Sequence, residues 1–147
     1  MGEDKAADPS QPGSVPWKSL STIMRENNHQ WIDILKIDIE GFEYGLVNLL
    51  TADPGFLNHP ENNNERLFPF SQLQIELHLT YPDMDPKVPA SFPKFLDWFQ
   101  KLESWGLRPF WSELNLIPTL ATSCSQGVFW SEFSFINIMG KHRLVGS

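Results

Sequence analysis

Asp38 and Glu40 close one apolar stretch of this chain, and Glu76 and His78 close another. Carboxylates and an imidazole can take the proton of a hydroxyl, grip a polar acceptor, or ligate a divalent cation. Residues two apart on a strand point the same way, so each pair shares a face. If the two strands are parallel neighbours, all four side chains converge at one end of the sheet. That end, outside the carboxyl termini of the strands, is where open parallel sheets place ligands. The plainer role for Asp38 and Glu40 is to cap the following helix and pair with Lys36, because acids favour the positive end of a helix dipole. A lone histidine is usually structural; His78 is singled out because it shares a strand end with Glu76.

The positioning elements are read from periodicity. Residues 31–39 alternate, with Lys36, Asp38 and Glu40 on one face and Leu35, Ile37 and Ile39 on the other. Ile34 joins the first face, so the middle of the strand is expected to be buried on both sides, as in a parallel strand covered by helices. Gly41 allows a tight exit into a helix over about 42–50, with Phe42, Leu46, Leu49 and Leu50 on one side and Gly45 available for close packing. An earlier helix is expected over 17–27, stopped by Asn27 and Asn28. Asp53, Pro54 and Gly55 end the second helix. A second strand follows at 72–79. Ser91 is placed to cap an amphipathic helix whose inward residues are Phe92, Phe95, Phe99 and Leu102, with Gly106 as its terminator. Strands at 107–117 and 133–139 complete the pattern. Pro109 suits an edge strand, because proline cannot donate to a ladder. Loops are expected at 58–65, 82–89 and 118–127.

Composition narrows the partners. The 147 residues suffice for one domain, and 41% hydrophobic with 13% aromatic residues argues against overall disorder. A net charge of −7 with no basic run disfavours a nucleic-acid partner, which needs clustered Lys and Arg. No stretch is long and apolar enough to span a bilayer, and no signal-peptide pattern opens the chain. The sequence as written therefore reads as cytoplasmic, with no membrane partner. Cys124 is the single cysteine and reads as a loop thiol. Residues 1–16 are polar and Pro-rich, which predicts a disordered tail.

Leu35-Lys-Ile-Asp-Ile-Glu-Gly41, with Glu43 two residues on, resembles the fourth-strand motif of FkbM-type and related methyltransferase-like proteins. Leu73–Leu79 is similar to the fifth strand of that fold. Leu107–Asn115 and Glu132–Asn137 resemble its final antiparallel pair. The resemblance implies an α/β, partial Rossmann-like methyltransferase fold: a four-strand mixed sheet in the order 4-5-7-6, strand 7 antiparallel, with flanking helices. The family's glycine-rich turn and ribose-binding acid have no counterpart here, and the chain contains no G-x-G. Residues 17–147 therefore resemble the C-terminal half of a methyltransferase domain.

The resemblance implies an S-adenosylmethionine-dependent enzyme acting on a hydroxyl or similar acceptor of a small molecule, sugar or protein. Asp38, Glu40, Glu76 and His78 are then the candidate catalytic residues, with Asp38 also touching the methionine part of the cofactor. Glu113 and Asn115, on one face after the sixth-strand match, are candidate acceptor contacts. A divalent metal stays open. With the cofactor-binding half missing, the chain alone should bind S-adenosylmethionine weakly or not at all. The other reading is an inactive remnant that acts at most as an interaction module. An unpaired edge along 31–39 predicts self-association.

Overall fold

In the computed structural model, residues 4–11, 13–57, 67–78, 89, 91–115 and 130–140 are described. The elements run α1 (Leu20–Glu26), β1 (Ile32–Ile37), α2 (Glu43–Ala52), α3 (Pro54–Leu57), β2 (Phe70–His78), α4 (Phe92–Ser104), β3 (Leu107–Asn115) and β4 (Trp130–Asn137). The expected loops at 58–65 and 118–127 and Cys124 lie outside the described residues, as does 82–89 apart from Pro89.

The sheet order is β1-β2-β4-β3. β1 runs parallel to β2 with Leu35 opposite Leu73 and Ile37 opposite Ile75. β4 is antiparallel to both β2 and β3. This is the mixed four-strand sheet that the motifs imply, with the last strand inserted between the second and third. Pro109 lies on the edge strand β3, where the ladder shifts register between Pro109 and Trp111.

One face of the sheet carries the core. Leu73, Ile75 and Leu77 of β2 and Phe135 of β4 are buried there. Phe99 of α4 packs on Phe133 and Phe135, with ring centroids 5.3 and 5.5 Å away. α2 lies on the same face, since Tyr44 meets Trp98 of α4 at 5.1 Å and Lys101 donates to Asn48 Oδ1 at 2.7 Å. The expectation that β1 is buried on both sides fails. Ile34 is 47% exposed and Lys36 is exposed, because no described helix covers their face and β1 lies at the sheet's edge. Among the described residues helices cover one face of the sheet; the other is exposed at Ile34 and Lys36 of β1, although Phe70, Glu76 and His78 of β2 on that face are buried.

Two helices bury a stripe that matches the expected one only in part. In α2, Tyr44, Val47 and Leu50 are buried with Glu43 and Gly45, while Phe42 and Leu49 are exposed. Phe42 is the N-cap rather than a helical residue, so the buried arc begins one position later. In α4, Leu102 is buried and Phe95 and Phe99 pack half-buried against the core as expected, Trp98 joins them, and Phe92 at the first position is 75% exposed. Ser91 takes the cap position there without a side-chain hydrogen bond.

The connections are specific. Asp53 ends α2, and its Oδ1 accepts from the Gly55 N–H at 2.8 Å and the Ser21 hydroxyl at 2.7 Å, tying α1 to α3. A side chain at Gly55 would meet Ser21 Cβ at 2.5 Å, so the α1 approach requires glycine. Gly106, at φ 87°, ends α4 as its position predicts. In the segment before α1, Lys5 and Trp17 form an isolated backbone bridge, and Asp4 Oδ1 accepts from the Ser19 N–H.

Candidate active site

The end of β1 does not run straight into α2. Glu40 has φ 55° and Gly41 φ 100°, two consecutive left-handed residues that reverse the chain. Glycine takes that conformation freely; Glu40 is held there against its own preference. The turn brings Glu43, the first residue of α2, back under the strand end. Glu43 has no exposed surface, and its Oε1 accepts from the backbone N–H groups of Ile39 and Gly41, both at 3.1 Å. It thereby satisfies two donors that the strand end and the turn would leave orphaned.

The same oxygen lies 2.9 Å from Nδ1 of His78, the last residue of β2. An oxygen already accepting two N–H groups accepts from the imidazole too, so Nδ1 carries its hydrogen and Nε2 turns toward the strand ends. Nε2 lies 3.4 Å from Oε2 of Glu40, whose side chain is 77% exposed while that of His78 is 3% exposed. Asp38 completes the group: one ligand-capable atom from each of Asp38, Glu40 and His78 lies within 4.8 Å of the others. The result is a buried Glu43–His78 pair facing two solvent-accessible carboxylates.

The capping role weighed for Asp38 and Glu40 is not filled, since α2 has no side-chain cap hydrogen bond and Glu43 holds the turn before it, while Lys36 reaches toward Glu132 at 4.0 Å. Glu76 is buried to 8% exposure and sits one row further from the strand end, opposite Glu132. Glu113 lies in that same row on β3, exposed and opposite Glu132. It stands two strand spacings from Glu76, on the order of 10 Å. The structure therefore gathers Asp38, Glu40 and His78, and sets the buried Glu76 and the exposed Glu113 in one row with Glu132. Asn115 ends β3 opposite Trp130 in the row of His78.

Sequence reasoning left Glu43 out of the site. Its signal was an acid in the first helical turn, three residues after Glu40 and just past a glycine, a position from which a carboxylate folds back onto strand-end N–H groups. A groove of about 420 Å³ between the start of α1 and α2, lined by Trp17, Leu20, Leu46 and Leu50 among others, lies toward the opposite end of α2.

The comparison with known families decides the class. A family model described as the methyltransferase FkbM domain matches residues 5–109. The chain belongs to that family. The match starts within the segment expected to be a tail and stops in β3, so β4 lies beyond it. It takes in the β1–α2 turn, Glu43 and His78. No curated protein and no solved structure gives a significant match. Methyltransferases in general draw the methyl group from S-adenosylmethionine. Among the described residues, no helix is long and apolar enough to cross a membrane.

Proposed function

We propose that this FkbM-family domain transfers the methyl group of S-adenosylmethionine to a hydroxyl acceptor. The acceptor's oxygen would sit among Asp38, Glu40 and His78. The observation that carries this reading is the Glu43–His78 pair. A carboxylate without exposed surface fixes the imidazole at 2.9 Å, so that Nε2 faces the exposed carboxylates at the sheet's carboxyl end. Methyl transfer from a sulfonium is an in-line displacement, helped chiefly by holding the acceptor close and dry. An oxygen acceptor must also lose its proton, and this cluster supplies three electron-rich groups to receive it. Because neither partner of the pair is free to turn, little reorganisation is left for the moment of reaction.

Labelled methyl transfer by a reconstituted methyltransferase domain that includes this chain tests the reading. Asp38→Asn and His78→Ala should each lower turnover by about 100-fold or more. Asp38 is exposed, so its substitution should leave thermal stability nearly unchanged. Full activity in both variants would reduce these side chains to structural roles. The chain has no G-x-G turn to cradle the cofactor, so the 147-residue chain alone should bind S-adenosylmethionine weakly or not at all. Micromolar affinity by calorimetry would overturn that expectation.

A further inference from the structure

We propose that Asp38, Glu40 and His78 Nε2 form a divalent-cation site at the carboxyl end of β1 and β2. The proposal deepens the methyl-transfer reading by naming what occupies the cluster. With the cation bound, these side chains would act as its ligands and the cation, holding the acceptor's oxygen, would ease loss of its proton to water; that role rests on the methyl-transfer reading, whereas the cation's presence does not.

Charge is the first argument. Asp38, Glu40 and Glu43 bring three carboxylates around one imidazole, and among the described residues the only Lys contact nearby, Lys36, goes to Glu132. These carboxylates crowd negative charge around the His78 ring, with Glu40 Oε2 3.4 Å from Nε2, and a cation seated between Nε2 and the two exposed carboxylates would offset that repulsion. Geometry is the second. Two ligands about 2.1 Å from a tetrahedral ion stand about 3.4 Å apart. The Nε2–Oε2 separation of His78 and Glu40 is 3.4 Å.

The surroundings supply the third argument. Histidine ligands of metals usually give their other ring nitrogen to a carboxylate, which fixes the tautomer and makes the ligating nitrogen more basic. Glu43 does this from a position without exposed surface, and among the described residues its Oε2 has no hydrogen-bond partner. A buried carboxylate left half-unsatisfied is costly, and a cation on the far side of the imidazole offsets that cost by making Nδ1–H a stronger donor. One nitrogen and two exposed carboxylates, with room for outside ligands, suit Mn²⁺ or Zn²⁺.

The test is a titration of the 147-residue chain without methyl donor. Mn²⁺ is followed by loss of the free-ion paramagnetic resonance signal, and Zn²⁺ by calorimetry. One ion per chain should bind saturably. Asp38→Asn and His78→Ala should each weaken binding at least about tenfold, and Glu43→Gln about tenfold through the imidazole. Glu132→Gln, on the neighbouring row, should bind as the parent does. Should His78→Ala fail to fold by circular dichroism, the exposed Asp38→Asn still decides. No saturable uptake by the parent chain, or unchanged affinity in Asp38→Asn, overturns the site. Saturable binding alongside absent methyl transfer would leave the site standing and remove the methyl-transfer reading instead.

Discussion

Asn137 has no exposed surface, and its amide works in both directions. Its Nδ2 donates to the carbonyls of Phe68 and Phe70 at 3.0 and 2.9 Å, and its Oδ1 accepts from the Met139 N–H at 3.1 Å. It thus pins the end of β4 to the entry of β2. Asn137→Ala removes all three contacts and strands buried backbone groups, so chemical denaturation should show a loss of about 2 kcal/mol or more. Tyr44 makes a different prediction. Burial first, and the charge of Glu43 second, hold its hydroxyl's pKa well above the ordinary tyrosine range. A group whose folded pKa is raised contributes stability below its unfolded pKa and loses it as pH rises toward the folded one. Stability should therefore begin to fall from about pH 10, where Tyr44 ionises only in the unfolded chain. Tyr44→Phe should flatten that fall in unfolding curves taken at increasing pH, and an unchanged slope would show that Tyr44 does not cause it.

At the level of elements, Gly106 sets how α4 turns into β3. It lies at φ 87°, and a Cβ there would stand 2.9 Å from Asn137 Oδ1 and from Met139 side-chain atoms. Gly106→Ala adds left-handed strain of about 1–2 kcal/mol and crowds an asparagine held by its own hydrogen bonds. Gly13 has a similar φ with nothing within 4 Å, so Gly13→Ala should lower the melting temperature less. The strands were legible because alternation survives wherever one face is buried: Leu73, Ile75 and Leu77 in β2 are all buried and read plainly. The helix faces were less so. Where a helix begins sets its phase, and the positive-φ residues Glu40 and Gly41 start α2 one residue later than its apolar spacing suggests. The site was half legible for the same reason. Asp38, Glu40 and His78 could be placed by strand parity, but Glu43 joins them only through a turn whose shape no periodicity records.

For the whole molecule, the exposed side of β1 is the chief liability. β1 is an edge strand with Ile34 47% exposed, and its outward backbone groups find no strand partner among the described residues. A net charge of −7 slows association but does not block strand-to-strand pairing. The isolated chain should self-associate in light scattering at high concentration, and Ile34→Lys should reduce the aggregate fraction; a monodisperse parent would count against the edge. The strand order has a separate consequence. β4 comes last of the four described strands in the chain, yet it sits between β2 and β3 and hydrogen-bonds to both. During synthesis, β1 and β2 can pair as soon as they emerge, while β3 must wait unpaired until Trp130–Asn137 has left the ribosome. The sheet closes from its middle at the last moment. Folding should thus be limited by one late, long-range insertion, with β2 and β3 open to chaperones or to neighbouring nascent chains until it occurs.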